Sequence, residues 1–278
     1  MRKPGLRRKR RGLLCLLLPV LLVWILWSNL CLKTVTAEVP LRDLPESFDG
    51  FRILHISDLH GNRALYRQLL ASARASGPEL IAITGDLADA EEQWPKLEGL
   101  LRELTALAPV CYVTGNHEWA ELDTEAWLKR LEALGIRVLR GSCLQLQRGG
   151  DSLYIVGADD PNGYREQPGP EEALGRIPAG EESCTVCLYH RPDAFPDLAL
   201  LGCDLVLSGH NHGGLVRLPL LGGIFSPGGG LLPAYDGGLF SLGDSYMLVS
   251  RGLSGVLGLP RLGNPPELPL IILRETEE

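Results

Sequence analysis

The sequence predicts an α/β domain whose sheet begins largely parallel. Three observations carry this reading. Short apolar strands alternate with amphipathic helices between residues 52 and 134. Each of those strands runs straight into a polar cluster, the pattern expected where strand ends open onto a ligand crevice. The composition, 45% hydrophobic and 22% charged, excludes a disordered chain and a fibrous rod.

The first twelve residues hold seven bases (Arg2, Lys3, Arg7, Arg8, Lys9, Arg10, Arg11) and no acid. Residues 13–32 carry no charge. As a helix they span about 30 Å, the thickness of a hydrocarbon core. Trp24 and Trp27 lie toward the far end, where indoles favour the interface. The segment reads as a single transmembrane anchor behind a basic cytoplasmic tail, with the rest of the chain outside the cytoplasmic membrane. Export with cleavage is the alternative. Val35-Thr36-Ala37 resembles a small-residue cleavage site, and Arg10-Arg11-Gly12-Leu13-Leu14 a twin-arginine signal.

Residues 33–50, with Pro40, Pro45 and Gly50, read as a linker, and residues 51–278 as one domain. Strands are expected at Arg52 to Ile56, Leu80 to Thr84 and Val110 to Thr114. Helices are expected at Arg63 to Ser76, Glu91 to Leu107 and Thr124 to Leu134. In the second helix Trp94, Leu97, Leu100, Leu101, Leu104 and Leu107 recur at helical spacing. The second half is richer in strands, near 143–146, 153–157, 184–189, 204–208, 246–250 and 268–273. Residues 218–235 are uncharged and rich in Gly, Pro and Leu. They read as a loop packed over the domain edge. The functional rival is a membrane-facing rim built from Leu220, Leu221, Ile224, Phe225, Leu231 and Leu232.

Setting aside the seven N-terminal bases leaves 20 bases against 34 acids, a net of −14 over residues 33–278. Such a domain repels nucleic-acid phosphates, so no nucleic-acid partner is expected. Five cysteines lie beyond the apolar run, an odd number. Cys184 and Cys187 form a CxxC, but in a strand residues i and i+3 face opposite sides, so the two suit neither a mutual disulfide nor a shared metal. The cysteines read as small buried apolar side chains.

The chemistry collects at the strand ends. The first strand gives Asp58-Leu59-His60, the second Gly85-Asp86, the third Gly115-Asn116-His117-Glu118. Later strands give His190 and then Gly209-His210-Asn211-His212-Gly213-Gly214. Five of the six histidines lie in these clusters; His55 falls mid-strand and reads as a core residue. Asp58 and His60 point the same way from an extended strand end, as do His210 and His212. Carboxylate with imidazole suits manganese, iron or zinc, and manganese is taken first. Asp86 is the natural bridge between two divalent ions. The centre would bind a phosphate and acidify a water.

These motifs, in this order, resemble the calcineurin-like metallophosphoesterase family over residues 51 to about 274. The resemblance extends to the membrane-associated or exported bacterial phosphodiesterase branch through Ser57-Asp58-Leu59-His60, Gly85-Asp86-Leu87, Gly157-Ala158-Asp159-Asp160-Pro161 and the glycine–histidine motif. It implies a four-layer sandwich, two mixed β-sheets packed face to face and flanked by helices. It implies one metal held by Asp58, His60 and His212, a second held by Asn116, His190 and His210, and Asp86 between them. His117 would serve the leaving oxygen as proton donor or charge stabiliser, and a bridging hydroxide would attack phosphorus. Glu118 reads as a supporting or surface acid, Asp159 and Asp160 as turn residues or orienters of the site, and Asn62 as a turn residue or phosphate contact.

The expected activity is metal-dependent hydrolysis of a phosphodiester or pyrophosphate, on a substrate that can be lipid-linked. The alternatives are a phosphomonoesterase or nucleotidase with the same centre, a non-catalytic metal-binding membrane scaffold, and a lipid-headgroup binder.

Overall fold

A computed structural model describes residues 4–163, 167–178, 184–226, 230–255 and 259–276, with side chains from residue 17 onward. In chain order the strands are β1 (Lys33–Leu41), β2 (Arg52–Ile56), β3 (Leu80–Thr84), β4 (Val110–Val113), β5 (Arg137–Val138), β6 (Ser142–Arg148), β7 (Asp151–Gly157), β8 (Cys184–Leu188), β9 (Leu205–Ser208), β10 (Val216–Leu218), β11 (Gly222–Ser226), β12 (Gly230–Leu231), β13 (Gly238–Leu242), β14 (Ser245–Val249) and β15 (Glu267–Glu275). The helices are α1 (Pro4–Leu30), α2 (Tyr66–Ser76), α3 (Trp94–Thr105), α4 (Asn116–Glu121), α5 (Thr124–Ala133), α6 (Pro170–Leu174) and α7 (Phe195–Leu200).

Two six-stranded mixed sheets form, ordered β1-β15-β2-β3-β4-β5 and β13-β14-β9-β8-β7-β6, with a small sheet β10-β11-β12 beside them. The pairs β2–β3, β3–β4 and β4–β5 are parallel, as are β7–β8 and β8–β9. The central strands β3, β4, β8 and β9 are buried on both faces, which is why they read as unbroken apolar runs. In β3, Leu80 and Ala82 face the second sheet alongside Val186 and Leu207. Ile81 and Ile83 face the other way and pack with Leu69, Leu101 and Trp127 on α2, α3 and α5. On the far side Val156 and Val206 meet Phe195 and Leu198 of α7. The result is the four-layer order helix, sheet, sheet, helix. The site forms where β2, β3 and β4 of one sheet and β8 and β9 of the other deliver their carboxyl ends.

The segment expected to be a linker is instead largely strand. Residues 33–41 form β1, which pairs in parallel with β15 along nine residues. Its Val39 and Leu41 are fully buried between the sheets. Pro40 is tolerated because β1 lies at the sheet edge, where a missing N–H costs no ladder bond.

Among the described residues no helix is long and apolar enough to cross a membrane. The expected anchor over 13–32 gains no support there. The basic side chains of residues 2–11 and Cys15 lie outside the described residues.

The cysteine reading needs one correction. Cys184 and Cys187 do face opposite sides of β8, Cys184 into the intersheet core and Cys187 into the outer layer. Cys187, however, pairs with Cys203, 16 residues on, in a disulfide. The sequence spacing gave no hint, because the turn after α7 brings Cys203 back beneath β8. A loop of this length stabilises by about 3 kcal/mol. Urea unfolding with and without dithiothreitol should therefore differ by about that amount; coincident curves would show the bond absent or inert.

Candidate metal centre

The loop after β2 carries Asp58 and His60, and the loop after β3 carries Asp86. Backbone bonds lace the two together, Asp58 N–H to Gly85 O (3.2 Å), His60 N–H to Asp86 O (2.9 Å) and Gly61 N–H to Leu87 O (2.8 Å). Gly85 is required here. Its φ is +81°, and a Cβ would collide with the backbone of Gly115. Among the described residues seven non-glycine residues have positive φ, and five of them are Asp58, His60, Asp86, His210 and His212. Each such residue costs on the order of 1–3 kcal/mol. The fold concentrates this strain on the expected ligands.

Asp58, His60, Asp86 and His212 are all buried, and their ligand atoms lie within 4.8 Å of one another. Beside them Asn116 Oδ1 and His210 Nδ1 lie 3.2 and 3.3 Å from His190 Nε2. Asp86 stands between the groups. Its Oδ2 is 3.8 Å from His60 Nε2 and 3.4 Å from His190 Nε2. Its Oδ1 accepts the backbone N–H of His117 at 2.9 Å, which fixes the carboxylate.

The donor set fits divalent ions. His190 Nδ1 bonds the Thr84 carbonyl at 2.6 Å, and His212 Nδ1 bonds the Ser254 carbonyl at 3.0 Å. His60 Nδ1 bonds Asp89 Oδ1 at 2.6 Å. In all three rings Nδ1 is taken by an oxygen partner, so Nε2 is the nitrogen that turns to the centre. His60 Nε2 and His212 Nε2 are 3.4 Å apart, and His212 Nε2 and Asp58 Oδ1 are 3.3 Å apart. Bonds of about 2.1 Å to a shared ion put neighbouring ligand atoms roughly 3.0–3.4 Å apart.

Electrostatics agree. Burial alone would push the Asp58 carboxyl up, but His212, His190 and His60 outweigh it and hold it below the usual range. Asp86 is likewise buried yet held low, chiefly by His190. Burial pushes His210 and His212 down to about 4, so both are neutral at pH 7, as ligation requires. Burial opposes a charge on His190, but Asp86 beside it raises the ring to about 10.

His117 joins through Asp89, whose Oδ1 is 2.8 Å from His117 Nδ1. That contact is the main reason the ring is pushed up to about 9. Asp89 was missed in the sequence, although it stands three residues after Asp86; its two histidine partners come from other loops. His60, Asp89 and His117 also form a cluster of metal-ligating types. There Asp89 Oδ1 bonds His60 Nδ1 at 2.6 Å and lies 2.8 Å from His117 Nδ1.

Several expected residues prove to be supports. Glu118 is fully buried, neither ligand nor surface acid. It accepts the backbone N–H groups of Asp86 (2.9 Å), Leu87 (2.7 Å) and Gly115 (2.7 Å). Asp160 takes Arg191 by two bonds, at 2.7 and 3.1 Å, steadying the residue next to His190. Asp159 takes Arg140 at 2.7 Å and Thr114 at 2.9 Å. Arg261 had no sequence signal, yet it is fully buried and donates to the His212 carbonyl at 3.2 Å. His55 is the core residue expected, bonded through Nε2 to Thr84 Oγ1 at 2.8 Å. Gly214 lets the chain after the histidines approach β11 closely, since a Cβ there would press on Gly223.

Residues 51–214 match the calcineurin-like phosphoesterase family model. The chain is 30% identical over 242 residues to an uncharacterized metallophosphoesterase of Bacillus subtilis, YkuE, covering 84% of this chain and 82% of that one. It is 30% identical over 233 residues to phosphodiesterase YaeI of Escherichia coli, with 80% and 82% covered. A Danio rerio transmembrane protein with a metallophosphoesterase domain is 28% identical over 267 residues, covering 87% of this chain but 57% of that protein. With the strand-end motifs in place and the family model spanning more than half of its length, the chain belongs to the calcineurin-like phosphoesterase family and is a metallophosphoesterase.

Proposed function

We propose that the protein hydrolyses a phosphodiester or pyrophosphate bond at a dinuclear centre. Asp58, His60 and His212 would hold one divalent ion, Asn116, His190 and His210 the other, and Asp86 would serve both. The observation that carries this is Asp86 Oδ2 lying within 4 Å of His60 Nε2 on one side and His190 Nε2 on the other. When bound, the ions supply positive charge for the phosphoryl oxygens and acidify a water. The diester preference draws on the relative named a phosphodiesterase. The test is hydrolysis of bis(p-nitrophenyl) phosphate against p-nitrophenyl phosphate by the full chain, stripped of metal and then reloaded with Mn²⁺. Metal-dependent turnover favouring the diester is expected. Turnover of the monoester alone would replace this reading with a phosphomonoesterase.

His117 donates the proton to the leaving oxygen through Nε2, its Nδ1 lying on the other side 2.8 Å from the Asp89 carboxylate. Asp89 favours the protonated ring, so its removal must lower the His117 pKa. Asp89→Asn should reduce kcat roughly 10- to 100-fold. It should also move the alkaline limb of the pH–kcat profile to lower pH. An unmoved limb would remove His117 as the acid.

The domain works at a membrane, attached through α1 and facing outward. The seven bases before the apolar run support this orientation. Leu17, Leu18, Val20, Leu22 and Val23 are more than half exposed. The Cys187–Cys203 disulfide suits an oxidising compartment. The glycine-rich segment, which folds as β10-β11-β12 rather than as a plain loop, adds Leu220, Leu221, Leu231 and Leu232, all exposed. Leu220→Ser with Leu221→Ser should weaken flotation of the full chain with liposomes. Protease added to spheroplasts should digest the domain; full protection would place it inside.

A further inference from the structure

Beside the metal centre a cavity of about 440 Å³ runs from His60, Asn62 and Asp89 to Leu30, Leu259 and Pro260. Its two ends differ in chemistry. The inner end belongs to the centre. The outer end lies between the last residue of α1 and the chain at 259–260.

Arg261, Asn29 and the Asn62 amide nitrogen along the wall are already committed. Arg261 is the only cation among the described lining residues, and it is spent on backbone carbonyls: Ser254 (2.6 Å), Asn264 (2.7 Å), His212 (3.2 Å) and others. The Asn29 amide donates to Ile25 O at 2.7 Å and Arg261 O at 3.0 Å, and its oxygen accepts the Arg261 N–H. The Asn62 amide donates to Leu253 O at 3.2 Å. No Phe, Tyr or Trp is among the described lining residues, so a nucleobase has no ring to stack on. A second phosphate has no free arginine to grip it.

Among the described residues, what remains at the outer end is apolar. Leu30 is 45% exposed and Leu259 51%. The apolar surface does not stop at the mouth. Val23, Leu26, Trp27 and Leu30 recur at helical spacing on one face of α1, all exposed. From Leu30, at the mouth, this face runs back roughly 10 Å along the helix.

We infer that the substrate is an amphiphilic phosphoester. Its phosphate sits at the centre and its aliphatic chain leaves between Leu30 and Leu259 onto the apolar face of α1. This rests on the phosphoesterase reading and names the substrate class for it. An acyl lipid and an isoprenoid phosphate share this chemistry.

The test uses the full chain, manganese-loaded, in nanodiscs of zwitterionic lipid. Substrates are p-nitrophenyl diesters of methyl, dodecyl, farnesyl and thymidine phosphate. The dodecyl or the farnesyl ester should exceed the methyl ester in kcat/KM at least tenfold, through KM, and whichever leads identifies the source. The thymidine ester should show no such gain. Leu30→Ser with Leu259→Ser should bring the long-to-methyl ratio below three, while Leu259→Met keeps it. Both leucines are half exposed, and retention of bound manganese checks the fold of each variant. Calorimetry with dodecyl and methyl phosphate, blanked on empty nanodiscs, gives a readout apart from turnover. Methyl-ester turnover without chain-length gain, or a gain that survives the double serine variant, overturns the inference and leaves the phosphoesterase standing. If no ester turns over in metal-replete protein, the phosphoesterase reading fails instead. Dodecyl phosphate binding that depends on Leu30 and Leu259 then still supports the chain site, and binding that ignores them overturns it.

Discussion

Asp86→Asn should abolish metal-dependent diester hydrolysis, by a factor on the order of 10³ or more. The change is nearly isosteric, so the loss reports charge. The Asp86 carboxylate lies against both His60 and His190, with Oδ1 fixed by the His117 N–H. An amide can still accept that N–H, but it brings no charge to hold two cations together. Measured manganese content should fall below two ions per chain, and added Mn²⁺ should not restore the rate. A variant that retains two ions and more than a tenth of the rate would remove Asp86 from the bridge.

The second large effect is on stability. Glu118→Ala should destabilise the protein by about 3–5 kcal/mol, since three buried backbone N–H groups lose their acceptor at about 1–3 kcal/mol each, not fully additively. Set against a typical total of about 5–15 kcal/mol, this is a large fraction. The three donors lie on Asp86, Leu87 and Gly115. The two loops that hold Asp86 and Asn116 should therefore loosen together, and metal affinity should fall with stability. Glu118→Gln keeps the volume and one acceptor oxygen, so it should land between wild type and Ala. Urea unfolding of the three proteins gives the order. Equal midpoints for Ala and wild type would show the pin to be dispensable.

The α/β alternation was legible because the central strands of both large sheets are buried on two faces, which writes Leu80 to Thr84 as an unbroken apolar strand. The ligand loops were legible because each begins where such a strand stops. The edges were not. β1 pairs with β15 at the opposite end of the chain, and Pro40 reads as a breaker until its edge position is known. A fragment that starts at residue 38, as a linker reading would allow, cuts through this strand. Spacing also cannot show contacts made between loops. Asp89 meets His117 only because β3 and β4 are neighbours, and Glu118 reaches back to three N–H groups for the same reason. Arg261 and the Cys187–Cys203 pair are tertiary facts of this kind. In the glycine-rich stretch, β10-β11-β12 form with almost no alternating pattern to announce them.

The most direct test of the central claim is an anomalous difference map from crystals of the manganese-loaded full chain. Two peaks a few ångströms apart are expected, one on each side of the Asp86 carboxylate, the first against Asp58, His60 and His212 and the second against Asn116, His190 and His210. A single peak among His60, Asp89 and His117, or no peak at Asp86, would contradict the dinuclear centre.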